Sequence, residues 1–112
     1  MNLSAQQALK LWHGVMAAGL QRGLPDLTAR QLALLLQVYL EPPPHTVRGL
    51  AATLHISKPA VSRALDRLGR LDYLRRKRDQ ADRRNVLVQR TVKGSVFLRE
   101  LGDLAETRGR SL

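Results

Sequence analysis

The sequence predicts a mainly α-helical fold with one small β-hairpin, and three features predict it. Apolar residues recur at helical spacing in five segments, each preceded by a hydroxyl residue suited to capping: Ser4, Thr28, Thr46, Ser57 and Thr91. Between the fourth and fifth segments the apolar period changes from helical to alternating. The chain carries 19 basic against 9 acidic residues, a net charge of +10, and most of that excess lies in its second half. At 112 residues it is expected to form one domain, 1–112, with a modest core.

The first helix is expected over 4–20. Ser4 and Gln7 have the spacing of a capping box, in which each side chain satisfies a backbone N–H of the other. Leu9, Trp12, Met16 and Leu20 form one apolar stripe, and Leu11, Val15 and Ala18 form a second. A helix apolar on two faces needs cover on both. Either both faces pack within the domain, or one meets a partner subunit; the small size of the chain favours the second reading. Gly23 and Pro25 break the helix. Thr28 and Gln31 repeat the capping box ahead of a second apolar helix over 29–40, which Pro42, Pro43 and Pro44 stop.

Thr46 caps a short third helix, 47–54, with Leu50, Ala51 and Leu54 on one face. After a turn at His55 and Ile56, Ser57 caps a fourth helix, 58–71. Pro59 stands in its first turn, where a missing N–H costs nothing. Val61, Ala64, Leu65 and Leu68 point inward, and Lys58, Ser62, Arg63 and Arg67 lie on other faces. Two short helices joined by a tight turn make a helix-turn-helix. Strands are expected over 73–78 and 85–89, joined by a charged turn over 79–84. A basic hairpin directly after a helix-turn-helix is a wing. Thr91 caps a last helix over 92–107, with Val96, Phe97, Leu101 and Leu104 on its apolar side and 108–112 expected to fray. The expected fold is therefore a winged helix-turn-helix with N- and C-terminal flanking helices. Residues 1–27 serve dimerisation, 28–91 form the binding core and wing, and 92–112 form the C-terminal helix.

Composition narrows the function. No cysteine is present, so disulfides, thiolate zinc sites and cysteine nucleophiles are excluded. No apolar run is long enough to cross a bilayer, and the N-terminal residues do not resemble a secretory signal. A cytoplasmic protein is expected. His13, His45 and His55 fall on three elements without metal-ligand spacing. Lys93-Gly94-Ser95 lacks the first half of a phosphate loop, and Asp79 and Asp82 sit among arginines that would neutralise them. No enzyme activity, cofactor or metal is expected. Net charge is +2 through Ile56 and +8 from Ser57 onward. Such a one-sided field attracts a polyanion, nucleic acid first and an anionic membrane second.

The stretch from Thr46 to Gly94 resembles the winged helix-turn-helix of MarR-type bacterial transcriptional regulators. The resemblance rests on Ser57-Lys58-Pro59-Ala60-Val61-Ser62-Arg63 with Leu65, Asp66 and Leu68. It rests equally on the wing string Asp79, Asp82-Arg83-Arg84, Val86-Leu87-Val88, Thr91 and Gly94. Residues 28–39 resemble the helix that precedes the motif in that family. The stretch after the wing is shorter than is usual there. The resemblance implies a bacterial, nucleoid-associated homodimer, held by terminal helices, on a near-palindromic double-stranded DNA site. Many members also respond to a small ligand between those helices and the reading head, and the shorter stretch predicts a smaller pocket for one. Asp72 stands where the family often has glycine, and aspartate tolerates left-handed backbone better than most residues. Arg90 stands where the family usually has an apolar residue, and is read as either a phosphate contact or a merely exposed side chain.

A recognition helix lies in the major groove with its N-terminal residues at the base edges. Ser57, Lys58, Ala60, Ser62 and Arg63 are placed there, with Ala60 able to touch a thymine methyl. Arg67, Thr46 and Arg48 are expected at phosphates. Arg76 flanks the wing, and Arg83 and Arg84 at its tip suit a narrow minor groove, with Arg84 the groove residue that the resemblance implies. Leu9, Trp12, Met16, Phe97, Leu101 and Leu104 are the expected dimer contacts. Two other functions stay open: a winged adaptor docking on a protein such as RNA polymerase, and an architectural protein that coats DNA by charge.

Overall fold

The computed structural model describes residues 2–112. In chain order the elements are α1 (Ala5–Gln21), α2 (Ala29–Leu40), α3 (Val47–Leu54), α4 (Lys58–Arg70), β1 (Leu74–Arg78), β2 (Val86–Arg90) and α5 (Val92–Arg110). They fall into two compact units. One is Leu27–Val96; the other joins the residues up to Asp26 with Phe97–Leu112.

In the Leu27–Val96 unit, Leu34, Leu35 and Val38 of α2, Leu50 of α3, and Val61, Leu65 and Leu68 of α4 are almost completely buried. Thr28 and Gln31 make both halves of the capping box, at 3.0 and 3.2 Å. Thr46 caps α3 through the Gly49 amide at 2.9 Å, and Ser57 caps α4 through the Ala60 amide at 3.1 Å. Both α3 and α4 close with a left-handed residue: the Ile56 amide returns to the Ala51 carbonyl past His55 (φ 56°), and the Tyr73 amide to the Leu68 carbonyl past Asp72 (φ 58°). Aspartate thus occupies the left-handed position that glycine often fills.

The hairpin is antiparallel, from Leu74 opposite Arg90 to Arg78 opposite Val86. Each strand begins one residue later than the alternation predicts. Tyr73 is already committed, its amide to the end of α4 and its carbonyl to the Tyr39 hydroxyl. Asn85 spends both backbone groups inside the wing loop, on Asp79 and Asp82. A single-residue third strand joins the far side of β2, where Thr46 bridges Leu87 and the Val88 amide donates to the His45 carbonyl at 2.9 Å. One residue has no periodicity, so the sequence pattern cannot show it.

The base of the wing converges on Tyr39. Its hydroxyl accepts the Thr91 amide at 2.9 Å and lies 2.9 Å from both the Tyr73 and Thr91 carbonyls, between which its one proton is shared. Thr91 caps α5 through the Gly94 amide at 3.0 Å and donates its own hydroxyl proton to the Asp72 carbonyl at 2.6 Å. Gly94 packs directly against this cluster. A Cβ there would fall inside the van der Waals radii of the Tyr39 hydroxyl and the Tyr73 carbonyl oxygen.

In the other unit, Ser4 and Gln7 complete their capping box, and Gly23 (φ 71°) closes α1 as the Leu24 amide returns to the Gly19 carbonyl. The two stripes of α1 part company: Ala18 is buried and Leu11 and Val15 half-buried, whereas Leu9, Trp12, Met16 and Leu20 are exposed. The helix α5 runs on to Arg110 instead of fraying from Arg108. A Glu106–Arg110 ion pair at i,i+4 and two arginines in the last turn suit a helix C-terminus. Phe97 and Leu104, expected at a partner subunit, are instead 5 % and 7 % exposed in the single chain, and Leu101 is half-buried. Their i, i+4, i+7 spacing marks an inward face. The exposed apolar residues of α5 are Val92 and Val96, so Val96 does not share that face.

Two substitutions check this account. Gly94→Ala is expected to destabilise the fold by about 1–3 kcal/mol through overpacking, read as a lower midpoint in denaturant with unchanged slope. His55→Gly is expected to raise the midpoint, since an L-residue in left-handed backbone costs roughly 1–2 kcal/mol that glycine avoids in part; an unchanged or lower midpoint would refute the strain.

Candidate nucleic-acid interface

The start of α4 presents Ser57, Lys58 and Arg63 to solvent, with Ser62 half-exposed. The oxygens of Ser57 and Thr46 are occupied as cap acceptors, which leaves their hydroxyl protons to donate outward. These side chains suit an anionic or hydrogen-bonding ligand laid across the helix N-terminus.

Ala60 is placed differently from its expected position. It is 6 % exposed and, with Ala64 one turn on, lines a groove towards the start of α2. Small side chains let the two helices approach there, and little of the Ala60 methyl surface is left to meet a base. Arg63 and Arg30 border the same groove. Arg30 escaped the sequence reading because its helix carries no binding motif. Arg67, expected at a phosphate, turns inward and reaches the Gln31 side chain at 3.5 Å, tying α4 to the cap of α2.

The wing loop is built by two aspartates. Asp79 accepts the Ala81 amide at 2.9 Å, and Asp82 accepts the Arg84 amide at 3.1 Å; both are i to i+2 turns of the kind aspartate favours. The same Asp82 carboxylate takes the Arg84 guanidinium at 3.1 and 3.2 Å. These bonds from the Arg84 side chain and amide hold the Asp82 carboxyl below its ordinary value, with a smaller contribution from Arg48. Arg84 remains 84 % exposed while it is aimed in this way. Arg78 braces the loop from β1 by donating to the Arg83 carbonyl at 2.6 Å. Lys77, Arg78 and Arg83 border a shallow basic hollow at the wing tip. Arg76 is exposed but paired, at 2.6 Å, with Asp66 of α4, so it links wing to helix.

Arg90 is exposed but engaged within the chain. Its guanidinium donates to the carbonyls of Val38 and Glu41, both at 2.9 Å, and stands 5.8 Å from the centre of the Tyr39 ring. Neither Tyr39 nor Arg90 could be given its role from sequence, because each acts across about fifty residues of chain. Among the described residues no group of histidine and acidic side chains is arranged to hold a metal, and no helix is long and apolar enough to cross a membrane.

Solved structures share this architecture. The chain is similar to the transcriptional repressor CouR, solved on a 23-mer DNA duplex, at 25 % identity and a TM-score of 0.74 over 95 % of this chain and 72 % of that one. It is similar to the regulator Tm0710 of Thermotoga maritima at 24 % identity and a TM-score of 0.75, over 91 % and 69 % of the two chains. The F27L mutant of MepR from S. aureus, bound to an oligodeoxyribonucleotide, matches at 19 % identity and a TM-score of 0.79, over 93 % and 74 %. No curated protein sequence matches the chain. The sequence model of the MarR family matches residues 26–85, more than half of the chain. With the winged helix-turn-helix and its Asp82–Arg84 wing tip in place, the chain belongs to the MarR family.

Proposed function

We propose that this protein is a sequence-specific, double-stranded DNA-binding transcriptional regulator that acts as a homodimer in the bacterial cytoplasm and carries no catalytic step. The observation that carries the reading is the coincidence of charge with shape. The chain from Ser57 onward holds +8 of its +10, and it forms both α4, with exposed Lys58 and Arg63, and a wing whose Arg84 is aimed by Asp82. Membership of the MarR family, and likeness to CouR and MepR solved with DNA, support it.

In this reading Ser57, Lys58, Ser62 and Arg63 meet base edges in the major groove. Thr46, Arg30 and Arg83 hold phosphates, and Arg84 enters the minor groove. Residues 28–91 read the DNA. The exposed stripe Leu9, Trp12, Met16 and Leu20 is the candidate contact with the second subunit.

Selection from a random duplex pool at near-physiological salt tests this, with the Arg63→Ala, Arg84→Ala double variant alongside. Enrichment of a two-fold-related site, with half-sites about one helical turn apart, is expected from the wild type and not from the variant. Retention of DNA without a motif would instead indicate charge-driven coating, and no retention would indicate a protein-docking role. The Asp82→Asn variant gives a second check. The Asp82 carboxyl lies below its ordinary value, so its hold on Arg84 is complete above the usual carboxylate range and is lost only as pH falls through that lowered value. Affinity is therefore expected to show no Asp82-linked change between about pH 5 and 8. Asp82→Asn is expected to weaken binding by up to about fivefold, although it adds net positive charge. Tighter binding by the variant would mean that charge alone, and not the aim of Arg84, matters.

A further inference from the structure

The end of α2 differs from the ends of α1, α3 and α4. Helices α1, α3 and α4 close on Gly23, His55 and Asp72 in left-handed backbone, with main-chain amides returning to the last turn. Helix α2 ends on Glu41 in extended conformation, followed by three prolines. In a helix the carbonyl of residue i takes its proton from the amide of residue i+4. For Val38, Tyr39 and Leu40 those partners would be Pro42, Pro43 and Pro44, which have no N–H. The Glu41 amide still serves Gln37, so the deficit begins at Val38.

Arg90 serves the first of these carbonyls, Val38, from another element. Its Nε donates to the Val38 carbonyl and its Nη2 to the Glu41 carbonyl, where the His45 ring nitrogen also donates, at 3.0 Å. The positive guanidinium sits at the negative end of the helix dipole and over the Tyr39 ring. Arg90 is also the last residue of β2, opposite Leu74 in the ladder. The helix terminus that the prolines leave without donors is thus fastened to the root of the wing.

We propose that Arg90 is a positioning residue for DNA binding: a strut that replaces the missing Pro42 amide at the Val38 carbonyl, ties the end of α2 to the root of the wing and thereby fixes the wing, so that its effect on affinity passes through Arg84 and not through a phosphate. This rests on the DNA-binding reading for its functional half and stands on geometry for its structural half. Lysine is a revealing replacement, because it keeps the charge but cannot span two carbonyls with a rigid fork.

The test compares wild type, Arg90→Lys and Arg90→Ala well below their unfolding temperatures. Amide hydrogen exchange is expected to quicken in β1 and β2 of both variants while the buried turns of α2 and α4 keep their protection. Unchanged protection in the wing, or an equal loss throughout the core, overturns the strut. On the selected duplex, both variants are expected to bind on the order of tenfold more weakly. Their salt dependence should keep the wild-type slope, and the loss should shrink to under about twofold once Arg84 is alanine. A phosphate contact would instead leave Arg90→Lys near wild type and lower the slope for Arg90→Ala by about 0.9; that result overturns the proposal. If wild type binds no duplex, the DNA-binding reading fails, and the exchange experiment decides the strut by itself.

Discussion

The contact between the Tyr39 hydroxyl and the segment around Thr91 and Gly94 holds the reading head together. Three chain segments pass through it: the exit from α4 at Tyr73, the end of the hairpin at Thr91, and the first turn of α5 at Gly94. A phenolic oxygen can accept and donate at once, which lets one side chain satisfy backbone groups that neither the ladder nor the helix can reach. The geometry works only if the helix start approaches closely, and Gly94 permits that approach. Where the wing stands relative to α4 follows from this hub, because β1 leaves α4 directly and β2 must return to Thr91.

Around that hub the molecule positions charge more than it accumulates it. A chain at +10 repels itself, and an unpaired guanidinium on a flexible stem has many rotamers to lose on binding. Asp66 holds Arg76 and Asp82 holds Arg84, both at exposed positions where an ion pair adds little stability. Their worth lies in orientation. Arg84 is pre-aimed while almost wholly in solvent, and Arg76 couples wing to helix. Lys58 and Arg63, on α4, stay exposed.

The hydroxyl residues show how one side chain serves two ends. Ser57 and Thr46 accept a backbone amide to start a helix, and each retains a proton to donate outward. The residues that begin the helix-turn-helix helices are thereby suited to face a ligand. Ala60 marks the limit of that economy: the same helix must also pack, and its small residues are committed to the approach of α2.

Local chemistry was legible in the sequence. Five capping residues, two capping boxes, the proline stop and the Asp82-Arg83-Arg84 wing tip are all interactions within four residues of chain. Spacing alone therefore predicts them, and together with the helical and alternating apolar periods they gave all seven elements to within a few residues. Tertiary structure decided what spacing cannot carry. It turned Phe97 and Leu104 inward, enclosed Ala60, drew Arg67 to Gln31, and added the Thr46–Leu87 bridge. It also gave Arg90 to the carbonyls of α2. In each case periodicity says that a side chain is on a face but not which neighbour that face meets. That neighbour is fixed only when distant segments are packed and every buried donor and acceptor must find a partner.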